Sequence, residues 1–186
     1  MDLLNEKEGK ILIKLAKNAI LEKLGKKPEQ VKEIPEKLNQ KRGVFVTLYK
    51  KGELRGCIGY PYPMLPLAEA TKRAAVAAAF QDPRFPSLRE EELKDIKIEV
   101  TVLTVPEKIN AHGKELVKHV KIGKHGLIAE YGPFSGLLLP QVAVEEGWDA
   151  ETFLAQTCWK AGLDPGMWLD PNVTFYRFEG QIFKEE

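Results

Sequence analysis

The sequence has few of the residues and motifs on which many enzyme classes depend. It contains two cysteines, three histidines and two serines among 186 residues. The cysteines, Cys57 and Cys158, lie far apart, and no CxxC pair or HExxH segment occurs, which argues against a disulfide framework or a structural zinc site. No G-x-G-x-x-G, P-loop or G-x-S-x-G segment is present, so nucleotide binding and serine hydrolysis have no local support.

The sequence also lacks a strong excess of charge of one sign and a long apolar run. The net charge is +1, from 28 Lys and Arg against 27 Asp and Glu. That balance argues against a dedicated nucleic-acid binder, although a local basic groove stays open as an alternative. No apolar run reaches membrane-spanning length and the first residues lack a signal-peptide core, so we expect a cytoplasmic protein without a membrane segment. The abundance of Lys and Glu is typical of hyperthermophiles.

The first half of the chain carries clear signals for a helix and a sheet. Asn5 is a good N-cap with Glu8 three residues later, and Gly25 ends the apolar periodicity, which predicts a helix of about 20 residues. The pattern then predicts a hairpin over residues 44–58, a helix over 67–80 and a strand over 97–103.

The second half repeats this order of events. Residues 126–139 read as another hairpin, and a helix begins at Asp149, where Trp148 and Phe153 form a hydrophobic staple. Gly162 ends this helix, and residues 173–178 read as a closing strand. We therefore predict one α+β domain over residues 1–186 with an internal repeat at about 43–105 and 123–180. Chance similarity between two ordinary α+β stretches is the alternative.

The segment from Leu54 to Gly59 is the most informative for chemistry. Alternate residues of a strand share a face, so Arg55 and Cys57 point the same way. A nearby guanidinium stabilises a thiolate, which makes Cys57 a candidate catalytic residue. Gly56 and Gly59 leave room for a ligand or another backbone. A cysteine that merely packs in the core is the alternative.

Five further side chains are weaker candidates. Asp82 and Arg84 follow a helix, where they form a turn or present Arg84 to an anion. His125 precedes the second hairpin and is a candidate base for the Cys57 thiol, or simply fills space. Gln141 and Glu145 share one helical face, which borders a cleft or serves as scaffold. Cys158 falls on an apolar helical stripe and is predicted to be buried and inert.

Several of these motifs together closely resemble the AMMECR-one domain family (the AMME syndrome chromosomal region gene). They occur in the order Leu54-Arg55-Gly56-Cys57-Ile58-Gly59, Asp82-Pro83-Arg84-Phe85, Gly123-Lys124-His125-Gly126, Leu139-Pro140-Gln141-Val142-Ala143, Trp148 and Lys160-Ala161-Gly162-Leu163. The resemblance implies a duplicated hairpin–helices–strand unit around a single, mostly antiparallel, barrel-like sheet with helices packed outside. It also implies an association with Memo-like or radical-SAM proteins in a modification pathway.

Two functional hypotheses follow from these residues. In the first, the protein is an enzyme or enzyme subunit with a Cys57-centred cleft, in which Arg55 activates the thiol and His125 or Arg84 lies nearby. In the second, it is a non-catalytic binding or adaptor module for a protein or nucleic acid, with Arg55, Arg84 and Lys124 contacting anions. A purely structural role for the motifs is the remaining alternative. The sequence identifies no cofactor and no metal-ligand spacing.

Overall fold

The structure is a computed structural model that describes residues 3–186. It is an α+β fold in which these residues form two compact units. The first unit runs to Thr104 and also includes Gln181–Glu186, and the second comprises Val105–Gly180. No helix among the described residues is both long and apolar enough to cross a membrane.

The first unit contains a four-stranded sheet covered by two helices. Its elements are α1 (Glu6–Lys23), β1 (Val44–Lys50), β2 (Glu53–Tyr60), α2 (Leu67–Phe80), β3 (Ile96–Leu103) and β8 (Gly180–Lys184), with 3₁₀ turns at Glu36–Asn39 and Glu90–Asp95. The strand order is β2-β1-β3-β8, and β1 pairs antiparallel with both neighbours. Alternate residues of β1 and β3 are fully buried against the helices, because a strand covered on one face places every second side chain in the core.

The helices of this unit begin and end where the local signals predict. The Asn5 side chain accepts a hydrogen bond from the Glu8 N–H, and the Glu8 carboxylate accepts one from the Asn5 N–H, so the capping box of α1 is confirmed. The alanine-rich α2 matches its predicted range. Its small side chains let it approach the sheet so closely that a Cβ on Gly56 would overlap the Ala78 carbonyl oxygen.

The second unit contains the other four-stranded sheet. Its elements are β4 (Glu107–Lys108), β5 (Gly126–Tyr131), β6 (Phe134–Leu138), α3 (Pro140–Glu146), α4 (Ala150–Lys160) and β7 (Thr174–Phe178), with 3₁₀ turns at Gly113–His119 and Pro165–Leu169. The strand order is β4-β7-β5-β6. Asp149 caps α4, and the rings of Trp148 and Phe153 lie 6.5 Å apart, so the predicted staple is present.

The prediction of a single barrel-like sheet is wrong. The strands of residues 3–186 form two separate sheets with no closed barrel, because β8 extends the first sheet beside β3 while β4 extends the second beside β7. Both hairpins were predicted, with small differences at their ends: β2 is longer than expected, and β6 begins at Phe134 rather than Gly136. The two sheets share one sub-order, β2-β1-β3 in the first and β6-β5-β7 in the second.

Candidate functional site

The outer edge of β2 is closed by the loop that follows α2. The Cys57 N–H points away from β1 and donates to Asp82 Oδ2 at 3.0 Å. The Cys57 carbonyl accepts from Arg84 Nη2 at 3.3 Å. Asp82 and Arg84 are themselves joined by a 2.7 Å ion pair, so the two side chains satisfy the edge of Cys57 much as a neighbouring strand would.

Asp82 is strongly held in its ionised form. Its side chain is 2% exposed. The hydrogen bond from Arg84 holds the Asp82 pKa well below its usual range, burial opposes this effect, and the N–H of Cys57 lowers the pKa further. The clamp around Cys57 is therefore charged on both sides near neutral pH.

Arg55 lies in a buried ion pair rather than beside a ligand. Its Nε and Nη2 atoms donate to the two oxygens of Glu92 at 3.0 and 3.2 Å, and Nη2 also donates to the Pro86 carbonyl. The side chains of Arg55 and Glu92 are only 8% and 9% exposed. The bond from Arg55 lowers the Glu92 pKa to about 2 against the opposing effect of burial, with Lys50 contributing a smaller part.

Phe85 lies between the two arginines of this region. The guanidinium carbons of Arg55 and Arg84 are 5.9 and 5.4 Å from its ring centroid, within cation–π range. Arg84 remains 53% exposed, unlike Arg55. The segment Asp82-Pro83-Arg84-Phe85-Pro86 therefore contacts both Arg55 and Cys57, and it leaves only one of the two cations accessible.

The thiol of Cys57 lies on the face of the sheet opposite α2. It is half-buried, and the Thr47 hydroxyl, directly across on β1, donates to its Sγ at 3.2 Å. Tyr49 and Glu99 share this environment: burial raises the Tyr49 pKa, and the negative charge of Glu99 adds to the effect. Gly59 packs beneath the Phe45 ring, which would overlap any Cβ at that position.

His125 belongs to the second unit, where it is 7% exposed. Its Nδ1 accepts a 2.9 Å hydrogen bond from the Lys121 N–H, which assigns the ring proton to Nε2. Burial lowers the His125 pKa, and Arg177 lowers it further, so the neutral ring predominates at pH 7. A neutral ring with this tautomer has no lone pair left to accept a proton, which does not favour a role as base.

The remaining predicted residues are dispersed. Gln141 and Glu145 lie on the exposed face of α3. Lys124 pairs with Glu179 at 3.2 Å. Cys158 is fully buried in α4, as predicted, and burial raises its pKa to about 11. No three His, Cys, Asp or Glu side chains within residues 3–186 converge as metal ligands.

The structure thus groups Arg55, Cys57, Asp82 and Arg84 in the first unit and adds partners that the sequence did not single out. Thr47 was recognisable in principle, since the hairpin register places it opposite Cys57. Glu92 is the last residue of the acidic run Glu90-Glu91-Glu92, and nothing local in the sequence connects it to Arg55.

The AMMECR1 family model matches residues 13–183. The chain belongs to the AMMECR1 family. Its AMMECR1 relatives include a protein of Thermococcus gammatolerans, 52% identical with 96% of this chain and 90% of the relative covered. A Methanocaldococcus jannaschii protein is 51% identical over 100% of this chain and 94% of the relative. These thermophilic sources fit the Lys and Glu enrichment.

A solved structure supports the same family and fold. The crystal structure of the uncharacterized protein PH0010 from Pyrococcus horikoshii is 49% identical and matches with a TM-score of 0.78. The match covers 98% of this AMMECR1 chain and 94% of that one. The family resemblance seen in the sequence motifs is therefore confirmed over nearly the whole chain.

Proposed function

We propose that this AMMECR1 protein is an enzyme, or an enzyme subunit of a modification pathway, whose chemistry is carried by the Cys57 thiol. One observation carries the proposal: Cys57 is held by its backbone on the β2 edge while its side chain stays accessible. Asp82 and Arg84 fix the backbone, and the half-buried Sγ receives the Thr47 hydroxyl. A nucleophile needs such positioning together with access to substrate.

The groups around Cys57 support a role for its sulfur. A hydroxyl that donates to sulfur stabilises the anion more than the thiol. Arg84 lies next to Cys57, since its Nη2 donates to the Cys57 carbonyl oxygen at 3.3 Å. Arg84, rather than the Glu92-bound Arg55, is therefore the cation that we assign to the thiol.

Alkylation of the native protein with iodoacetamide tests this proposal. The alkylated sulfur gains a carbon and iodide leaves, so modification is counted by mass. Cys158→Ala leaves only Cys57, and Cys57→Ala leaves only Cys158, which makes each variant the control for the other. We expect rapid modification in the first variant and very slow modification in the second. A native Cys57 that resists the reagent at neutral and alkaline pH would exclude the nucleophile.

A non-catalytic binding module is the second candidate, and the exposure of Arg84 favours it. Arg55 is only 8% exposed, whereas Arg84 and Lys124 are 53% and 54% exposed although each pairs with a carboxylate, so these two are the accessible ones of the three cations proposed to contact anions. Binding to a polyanion such as heparin should then weaken with added salt. Affinity that is unchanged in Arg84→Ala, or insensitive to salt, would contradict this version.

We also infer that the two units descend from an internal duplication. Two features support it besides the shared strand order. Gly56 lies under the carboxy end of α2 and Gly136 under that of α4, where a Cβ would overlap the backbone of Ala78 or Ala161. Each helix is followed by an Asp-Pro turn in which Asp82 or Asp164 accepts from the N–H two residues later. Superposition of β1–β3 and α2 on β5–β7 and α4 tests this inference, and failure to align these glycines would refute it.

A further inference from the structure

The outer edge of β6 is an open strand edge. The two-residue turn Gly132-Pro133 makes Tyr131 and Phe134 the closing hydrogen-bonded pair of the β5–β6 hairpin. Hydrogen-bonded and non-bonded pairs alternate along antiparallel strands, so Ser135 and Leu137 point their N–H and C=O groups away from β5. Within residues 3–186, no hydrogen bond is formed by these outward groups.

The corresponding edge in the first unit is closed. Cys57 follows Gly56 as Leu137 follows Gly136, and there Asp82 and Arg84 bind both outward groups. In the second unit the residue after Asp164-Pro165 is Gly166, which has no side chain to donate to a strand carbonyl. The same loop position therefore caps one sheet edge and leaves the other uncapped.

The side chains along β6 do not protect its edge. Native sheets usually shield open edges with Lys, Pro or a bulge. The strand reads Phe134-Ser135-Gly136-Leu137-Leu138 and carries no charge, no proline and no register shift. Phe134 is 48% exposed. Such an edge offers both backbone hydrogen bonds and apolar side chains to an incoming strand.

The position of α4 determines what fits against this edge. The backbone of Lys160 and Ala161 lies directly over Gly136. Neighbouring strands are about 4.8 Å apart whereas a helix is about 10 Å wide, so pairing with β6 of a second copy would force two α4 ends into one space. A single extended peptide carries no helix of its own and avoids this overlap.

We propose that the β6 edge docks an extended segment of a protein partner, which adds to the second sheet as a fifth strand. The segment would exchange backbone hydrogen bonds with Ser135 and Leu137 and place alternate apolar side chains beside Phe134. This interaction site is separate from Cys57 and holds whether or not that thiol is reactive.

The test uses a phage-displayed library of short random peptides selected on the full chain. Selected sequences should alternate apolar and polar residues, and the corresponding synthetic peptides should slow amide hydrogen exchange at Ser135 and Leu137. Ser135→Pro removes one outward N–H without breaking a bond to β5, so the fold should persist, as circular dichroism will verify. We expect it to weaken peptide binding about tenfold or more, while Ser135→Ala binds like the wild type.

A change in the peptide supplies a second test that leaves the protein unaltered. N-methylation at the residues facing β6 should abolish binding, and methylation at the alternate residues should not. The proposal is overturned if no sequence is enriched, if protection appears at other amides, or if Ser135→Pro or the methylated peptide binds normally. A dimer in sedimentation that Ser135→Pro dissociates would assign the edge to a second copy and would also overturn it.

Discussion

Replacing Glu92 by Gln should destabilise the first unit by about 3 kcal/mol at pH 7. The Glu92 carboxylate accepts four hydrogen bonds, two from Arg55 and one each from Lys50 and the Arg89 N–H. Its pKa falls from 4.5 to about 2, which corresponds to about 3 kcal/mol. Removing one partner of a buried ion pair costs a similar amount, since it leaves Arg55 charged and uncompensated.

The direction of the Glu92 pKa shift determines how this loss of stability changes with pH. Because the folded pKa lies below the unfolded one, the carboxylate contributes its full stability above about pH 4.5 and loses it as the pH falls toward 2. The unfolding free energies of the wild type and Glu92→Gln should therefore differ most at neutral pH and converge in acid. Urea unfolding at a series of pH values measures both.

The measurement must report the unfolding of the first unit. All three tryptophans, Trp148, Trp159 and Trp168, lie in the second unit, so their fluorescence would not report this change directly. Amide exchange in β2 reports the first unit alone, and far-UV circular dichroism reports both units together. The double variant Arg55→Met/Glu92→Leu should be more stable than either single charge removal, because no buried charge is left unpaired. A loss below about 1 kcal/mol in Glu92→Gln, or simple additivity of the two sites, would refute the reasoning.

Three further predictions concern the neighbouring residues. Gly136→Ala should lower stability by about 2 kcal/mol or more, because the new Cβ would overlap the α4 backbone; an unchanged melting temperature would contradict this. Asp82→Asn should destabilise the native state near neutral pH and have little effect in strong acid, because the Asp82 pKa is lowered by Arg84. Equal losses of stability at both pH values would count against the ion pair. In Cys57→Ala, Cys158 should stay unmodified at pH 8, because a thiol with a pKa of about 11 is only about 0.1% ionised there. The same thiol should react once urea unfolds the chain. Ready alkylation of the folded variant would show that α4 opens.

Local signals in the sequence were sufficient to locate most elements. Asn5 and Asp149 specify their helices by capping, and a hairpin depends only on residues close in the chain. The pairing of β3 with β8 connects residues about 80 positions apart, and nothing local encodes it. That missing information is why two sheets were mistaken for one.

The candidate site shows the same contrast between features that the local sequence encodes and features that depend on distant residues. Strand alternation correctly separated Gly56 from Cys57, since Gly56 faces α2 and the thiol does not. It could not show that Arg55 is held by Glu92, 37 residues later, because such a pair forms only after the tertiary structure does. A register shift between Leu48 and Tyr49 also places Arg55 at an irregular point of β2, where simple alternation is a poor guide.

The route of the backbone has a consequence for how the molecule is made. The first unit takes β8 from residues that follow the second unit in the chain, so a ribosome must synthesise residues 105–180 before that sheet can gain its fourth strand. The second unit, by contrast, is one uninterrupted stretch and needs nothing downstream of Gly180. A nascent chain should therefore leave the outer edge of β3 unpaired until residues 180–184 have been made, although the rest of the first unit precedes the second in the chain.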